Sequence, residues 1–293
     1  MDKAVAPAKA LSMMTGLPDI LVEPVIRDAL REDLGLAGDV TGMACIPPKA
    51  RFKAEFRARG NGVTAGIDCA RLAMALMDHQ VRFEIVAPDA THVKAGDVIA
   101  RVEGNARAIL AAERVALNML CHLSGVATLT HKFVASISDL PARIACTRKT
   151  TPLLRGLEKH AVKCGGGHNH RYGLDDAILI KDNHIAVCGG VAQAMERAKA
   201  AAGHLMKIEL EVDSIAQLKQ ALPFSPDVLL LDNFTLDMFK EAVKLAKGKT
   251  ILEASGGVNL DTVRAIAEAG VDIISIGALT HSAPVFDIGL DAV

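Results

Sequence analysis

Residues 207–232 read KIELEVDSIAQLKQALPFSPDVLLLD. The spacing predicts a strand over Lys207–Val212, an amphipathic helix over Ser214–Ala221 and a second strand over Val228–Asp232. Acids stand where both strands end, at Glu211 and Asp232. The same alternation extends outward in both directions. Further strands are expected at Arg143–Cys146, Ala177–Lys181, Thr250–Glu253 and Ile273–Gly277. Further helices are expected at Gly190–Ala202, Leu236–Leu245 and Leu260–Ala269. Largely apolar strands separated by helices indicate a parallel sheet covered on both faces. No G-x-G-x-x-G motif is present, which favours an α/β barrel over an open dinucleotide-binding sheet.

The first third reads differently. A helix is expected over Pro18–Leu34. Residues Lys49 to Arg59 alternate, with Phe52, Ala54, Phe56 and Ala58 on one side and charged residues on the other, as in a half-buried antiparallel strand. Ala70 to Met77 looks helical, and Val81–Ile85 and Val98–Val102 look like strands. A helix then starts at Ala106 and is expected to end near Ser124. It carries Arg107, Arg114, Asn118 and His122 as a polar stripe. Arg114 stands among Ala and Val, and the adjacent Glu113 lies on another face of the helix, so either an anion or a glutamate from another helix should meet it. The fold class that follows is α/β: an incomplete, TIM-like barrel with an N-terminal α+β open-faced sandwich. The expected domains are 1–117, completed by 282–293, and 118–281.

Composition narrows the function. The 293 residues are 51% hydrophobic, and 33 Lys and Arg stand against 34 Asp and Glu, a net charge of −1. That balance argues against a nucleic-acid surface. No uninterrupted apolar run approaches the ~20 residues of a membrane helix, and residues 1–14 contain no apolar leader core. Six dispersed cysteines without a C-x-x-C pair suit reduced thiols and a cytoplasmic location.

The charge is unevenly placed. Residues 146–185, CTRKTTPLLRGLEKHAVKCGGGHNHRYGLDDAILIKDNHI, hold seven Lys or Arg against four acids, locally +3. Such a run also suits a solvated face, and Gly165-Gly166-Gly167 a flexible loop. Barrels of this type, however, gather reactive groups at the C-terminal ends of their strands. Those ends supply Arg148-Lys149, Lys181, Glu211, Asp232, Ser255-Gly256-Gly257 and Gly277-Ala278. Glu211 and Asp232 suit ribose hydroxyls or a hard divalent cation. The glycine turns suit a phosphate. Together they suggest a pocket for an anionic phosphosugar. Two other readings stay open here: His168-x-His170 as a metal pair lacking a third ligand at useful spacing, and Lys181 as a Schiff-base lysine.

Ordered motifs along nearly the whole chain resemble the quinolinate phosphoribosyltransferases. They are Glu113-Arg114, Thr147-Arg148-Lys149-Thr150-Thr151-Pro152, Leu157-Glu158-Lys159, Asn169-His170-Arg171, Lys181-Asp182-Asn183-His184, Glu209-Leu210-Glu211, Leu231-Asp232-Asn233, Glu253-Ala254-Ser255-Gly256-Gly257 and Gly277-Ala278-Leu279-Thr280-His281. The sequence departs from the family pattern at Leu153, usually Gly, and His160, commonly Tyr.

The resemblance implies transfer of a phosphoribosyl group to quinolinate followed by decarboxylation. It implies that Arg114, Thr147, Arg148, Lys149, His170, Arg171 and Lys181 meet the substrates, with Lys149, Lys181, Glu211 and Asp232 as the catalytic set. Glu211 and Asp232 would hold ribose hydroxyls and Mg²⁺, directly or through water. Ser255, Gly256, Gly257, Gly277, Ala278, Leu279 and His281 would take the 5-phosphate. It further implies a homodimer or hexamer, with Arg114 reaching into a neighbouring subunit. A molybdenum-uptake-associated relative, a silent ligand-binding barrel and an aldolase are the alternatives.

Overall fold

A computed structural model describes residues 16–293. Residues 1–14, read above as lacking a leader core, lie outside the described residues. The chain divides into two compact units, 1–121 with 287–293, and 122–286.

The first unit opens with helices α1 (Asp19–Leu34) and α2 (Val40–Cys45). In the turn between them Asp39 Oδ1 accepts the Gly42 N–H at 2.9 Å, an ordinary N-cap. Strands β1 (Arg51–Ala58) and β2 (Gly62–Val63), helix α3 (Ile67–Met77), and strands β3 (Arg82–Ile85), β4 (His92–Val93) and β5 (Val98–Asn105) follow. Strands β1, β5 and β3 form an antiparallel sheet. Its register sets Ala54 opposite Val102 and Phe56 opposite Ala100, and Phe56 stacks near Phe83 with ring centroids 5.7 Å apart. The opposite face is a ladder of ion pairs, including Lys53–Glu103 at 3.2 Å and Arg101–Glu55 at 3.0 Å. One apolar and one charged face make this an open-faced sheet.

Helix α4 (Ala106–Ser136) runs twelve residues past the expected end. Gly125, just past that expected end, serves close packing. A Cβ there would lie 2.2 Å from the Pro284 carbonyl oxygen, so the second unit has room only for glycine. By length and composition α4 could cross a membrane, a feature hidden in sequence by its charged residues. Most of its apolar window is buried inside the protein, as in a core helix.

The second unit holds β6 (Arg143–Ala145), α5 (Arg155–Cys164), β7 (Ile178–Ile180), α6 (Asp182–Cys188), α7 (Val191–Ala201), β8 (Ile208–Val212), α8 (Ile215–Ala221), β9 (Val228–Asp232), α9 (Leu236–Ala246), β10 (Ile251–Ser255), α10 (Val263–Glu268), β11 (Ile273–Ser275) and α11 (Ala278–His281). Helices α5 and α6 went unread in the sequence. The six strands are parallel, in the order β6-β11-β10-β9-β8-β7. First and last strands therefore pair, which is the closure of a barrel. On its other side β6 bridges to the next segment in sequence, Ala145 to His168. No pairing joins that segment to β7 among the described residues, so the barrel is incomplete there. Leu210, Leu229, Leu231 and Ile274 are fully buried on the outer face, where α8, α9 and α10 pack.

Finally, β12 (Ile288–Ala292) pairs antiparallel with β1, Ala54 to Ala292 through Ala58 to Ile288. The tail thus returns to the first sheet.

Candidate active site

Side chains alternate across a parallel strand, so the register places the inward residues. Leu179 pairs with Glu209, Glu211 with Leu230, Ser255 with Asp232, and Ser275 with Ala145. These residues share one face. Carried past the strand ends, that face includes Lys181, Glu211, Asp232, Ser255, Gly277 and Thr147. The sequence-predicted groups therefore gather at one mouth of the barrel.

Lys181 and Glu211 meet at 2.6 Å. This is an ion pair, not the desolvated, cation-crowded setting that turns a lysine into a nucleophile, so the Schiff-base reading loses its basis. Asn233 Nδ2 donates to Asp232 Oδ2 at 2.8 Å. Asn233 has a φ of +55°, and its N–H donates to the Ser255 carbonyl at 3.0 Å. Gly256, at φ +93°, lies against it; a Cβ would sit 2.2 Å from Asn233 Oδ1. Only glycine fits that turn. At the next strand end, a Cβ on Gly277 would lie 3.0 Å from both Lys149 Cδ and His281 Nε2. Lys149 and His281 thus converge beside Gly277, while Ala278 and Leu279 open the short α11. Thr280 Oγ1 donates to the Lys149 carbonyl at 2.7 Å and ties the two loops together.

The loop after β6 is anchored from below. Thr147 Oγ1 accepts the Lys149 N–H at 3.0 Å. Glu158, fully buried, accepts the Thr151 N–H at 3.1 Å and meets His122 Nε2 at 2.8 Å. The Gly165-Gly166-Gly167 run is not a flexible loop. A Cβ on Gly165 would lie 2.4 Å from the Ala127 carbonyl, and one on Gly167 2.7 Å from Thr130 Cγ2. The glycines let this turn pack on the C-terminal part of α4.

Arg148 lies close enough to act on Arg171. Burial first, and then the Arg148 charge, hold the Arg171 guanidinium below its ordinary value. The Nε of each is buried without a hydrogen-bond partner. Arg171 Nη1 donates to the Ala177 carbonyl at 2.8 Å. Two like charges with unused, buried donors form a site built for an anion.

Beneath them sits a cluster the sequence reading missed. His170 Nε2 lies 2.9 Å from Glu209 and 3.6 Å from Glu253, both acids buried. Burial first, and then Glu209, push the Glu253 carboxyl up to about 7. For His170, burial alone would lower the imidazole, but Glu209 and Glu253 outweigh it and raise it. The Arg171 N–H, however, donates to His170 Nδ1 at 2.8 Å. A donor aimed at Nδ1 leaves the ring proton on Nε2, facing Glu209. This has two consequences. Nε2 has no lone pair for a metal, although His170, Glu209 and Glu253 could otherwise be grouped as ligands. Both ring nitrogens are engaged within the protein, Nδ1 by the Arg171 N–H and Nε2 by Glu209. His168 has different neighbours, Lys163 and Arg143, so the two histidines are not a metal pair. Period-two alternation in Glu209-x-Glu211 and Glu253-x-Ser255 was the signal that could have revealed the buried acids.

Arg114 belongs to the first unit. It is exposed and has no ion pair or side-chain hydrogen bond among the described residues, so the glutamate from another helix is absent.

Comparison with known proteins agrees with this geometry. Residues 126–291 match the C-terminal domain of quinolinate phosphoribosyl transferase, and residues 39–124 match its N-terminal domain. A probable nicotinate-nucleotide pyrophosphorylase (carboxylating) of Bacillus subtilis is 42% identical over 89% of each chain. The nicotinate-nucleotide pyrophosphorylase (carboxylating) of Mycobacterium leprae is 41% identical over 91% of this chain and 95% of its own. The solved nicotinate-nucleotide pyrophosphorylase of Francisella tularensis superposes with a TM-score of 0.91 at 38% identity, covering 95% of this chain and 98% of its own. The chain belongs to the quinolinate phosphoribosyltransferase family.

Proposed function

We propose that this protein is a decarboxylating quinolinate phosphoribosyltransferase, joining quinolinate to phosphoribosyl pyrophosphate. Its products are nicotinate mononucleotide, pyrophosphate and CO2, in the supply of NAD. The observation that carries the reading is the pair of buried, unpartnered guanidinium Nε atoms of Arg148 and Arg171 at the barrel mouth.

Quinolinate carries two adjacent carboxylates. Arg148 and Arg171 bind them through charge-assisted hydrogen bonds, with Lys149 and Lys181 completing a cationic rim. Ser255, Gly256, Gly257, Gly277, Ala278, Leu279 and His281 hold the 5-phosphate, chiefly through backbone N–H groups. Glu211 and Asp232 hold the ribose hydroxyls. The pyridine nitrogen attacks C1 of the ribose as pyrophosphate leaves, and the inward carboxylates stabilise the oxocarbenium-like charge. The positively charged ring then accepts the electron pair left as the 2-carboxylate departs as CO2. The carbanion takes a proton, so no protein nucleophile is needed.

Glu211 and Asp232, oxygen donors on neighbouring inward strand ends, fit a hard divalent cation. Held there, Mg²⁺ would supply positive charge to offset that of the pyrophosphate. The exposed, unpaired Arg114 supports a homodimer or hexamer in which that residue completes a neighbouring subunit's site. Six free thiols accord with a reducing, cytoplasmic setting.

Mixing Arg114→Ala with Lys181→Ala tests the sharing of the site. Hybrid dimers restore part of the activity; no recovery above the separate variants refutes it. Isothermal titration with quinolinate alone tests the carboxylate site, with saturable binding expected and none refuting it.

A further inference from the structure

Arg171 needs a fixed backbone if its guanidinium is to wait, unpartnered and beside another cation, for a ligand. The fixing atoms belong to His170. Its carbonyl accepts from buried Lys159 Nζ at 2.8 Å, and its Nδ1 accepts the Arg171 N–H at 2.8 Å. Nδ1 is free to accept only while the ring proton stays on Nε2. Glu209 Oε2, 2.9 Å from Nε2, keeps it there. Glu253 lies 3.6 Å from the same nitrogen.

We infer that Glu209, backed by Glu253, is a positioning residue: through the orientation and tautomer of His170 it anchors the Arg171 peptide and so aims the Arg171 guanidinium at a substrate carboxylate. This rests on the reading of the site as a quinolinate site. The floor of the barrel is chemically suited to the task. The side chains of Glu209 and Glu253 are only 7% and 4% exposed, so water does not compete for the ring. Glu209 acts on Arg171 by charge as well, partly offsetting Arg148. Glu253, pushed up to about 7, holds a proton through much of the neutral range. The cluster therefore lends negative charge without neutralising the cations above it. Without Glu209 the nearest remaining acceptor for Nε2–H is Glu253, at 3.6 Å, beyond hydrogen-bond distance. Turning or changing tautomer then sets a ring N–H against the Arg171 N–H, or leaves that peptide without an acceptor.

The reading separates orientation from charge. Glu209→Gln keeps an oxygen that accepts from Nε2–H; Glu209→Ala does not. Steady-state kinetics with quinolinate and phosphoribosyl pyrophosphate, on the full-length protein, test it. Glu209→Ala raises the quinolinate KM about tenfold or more, and the phosphoribosyl pyrophosphate KM changes less than about threefold. Glu209→Gln stays within about threefold of wild type for both. In an Arg171→Ala background, Glu209→Ala adds less than about twofold, because its effect runs through Arg171. Should Glu209→Ala fail to fold, the Glu209→Gln kinetics and a Glu209→Met variant decide, the latter behaving as Ala does. An unchanged quinolinate KM, equal increases for both substrates, or additivity with Arg171→Ala overturns the inference. Failure of the wild-type protein to turn over quinolinate overturns the functional reading instead, so the two failures are distinguishable.

Discussion

Replacing Arg171 with alanine separates the two halves of the proposed site. In the free protein its Nε has no partner, Nη1 bonds the Ala177 carbonyl, and Arg148 lies near enough to depress it. Bound quinolinate gives that guanidinium up to two charge-assisted hydrogen bonds, each contributing about 1.5–3 kcal/mol. Relief of repulsion with Arg148 returns about 1 kcal/mol to the variant. The net loss is about 2–5 kcal/mol, or an increase of about 30- to 5,000-fold in the quinolinate dissociation constant. The donor site draws on other strand ends, so the phosphoribosyl pyrophosphate KM should move less than about threefold. Stability should barely fall, since one hydrogen bond is lost and one repulsion relieved. Calorimetric titration with quinolinate and initial rates against each substrate measure the split. Equal loss for both ligands, or unaltered quinolinate binding, refutes the reasoning.

Two further outcomes follow from particular residues. Leu153 is 90% exposed with a φ of +68°, a conformation costing an L residue about 1–2 kcal/mol. Leu153→Gly removes that cost at some expense in chain entropy, so thermal unfolding should show a gain of about 0.5 kcal/mol; a lower melting temperature contradicts this. For Glu253, burial and the Glu209 charge push the carboxyl from its ordinary 4.5 up to about 7 in the folded state. Its contribution to stability is therefore full below about 4.5 and lost as pH rises through 7, on the order of 2–3 kcal/mol. Urea unfolding should find Glu253→Gln gaining on wild type between pH 5 and pH 8; a difference independent of pH contradicts the burial argument.

The barrel was legible because its strands are short, apolar and bounded by polar turns. Val228–Asp232 falls where the spacing placed it, and β8 and β11 begin within a residue of expectation. The strand-end rule then brought Lys181, Glu211, Asp232, Ser255 and Gly277 to one mouth. What escaped detection depends on three-dimensional neighbours. The continuation of α4 through Gly125 is not marked locally, because the Pro284 carbonyl that demands a glycine is 159 positions away in the chain. Helix α5, with RGLEKHAVKC, hides its buried face because Glu158 and Lys159 are buried beside Leu157, Ala161 and Val162. Glu209 and Glu253 were passed over because charge suggests exposure; only their alternation with Glu211 and Ser255 marks them as facing the barrel interior. The tautomer of His170 depends on a single backbone N–H, which no local pattern marks.

The most direct test of the central claim is CO2 release from quinolinate labelled at the 2-carboxylate, with phosphoribosyl pyrophosphate and Mg²⁺ present together or singly omitted. The account predicts labelled CO2 in step with nicotinate mononucleotide and pyrophosphate, and only in the complete mixture. Tight quinolinate binding with no CO2 from the complete mixture would contradict it.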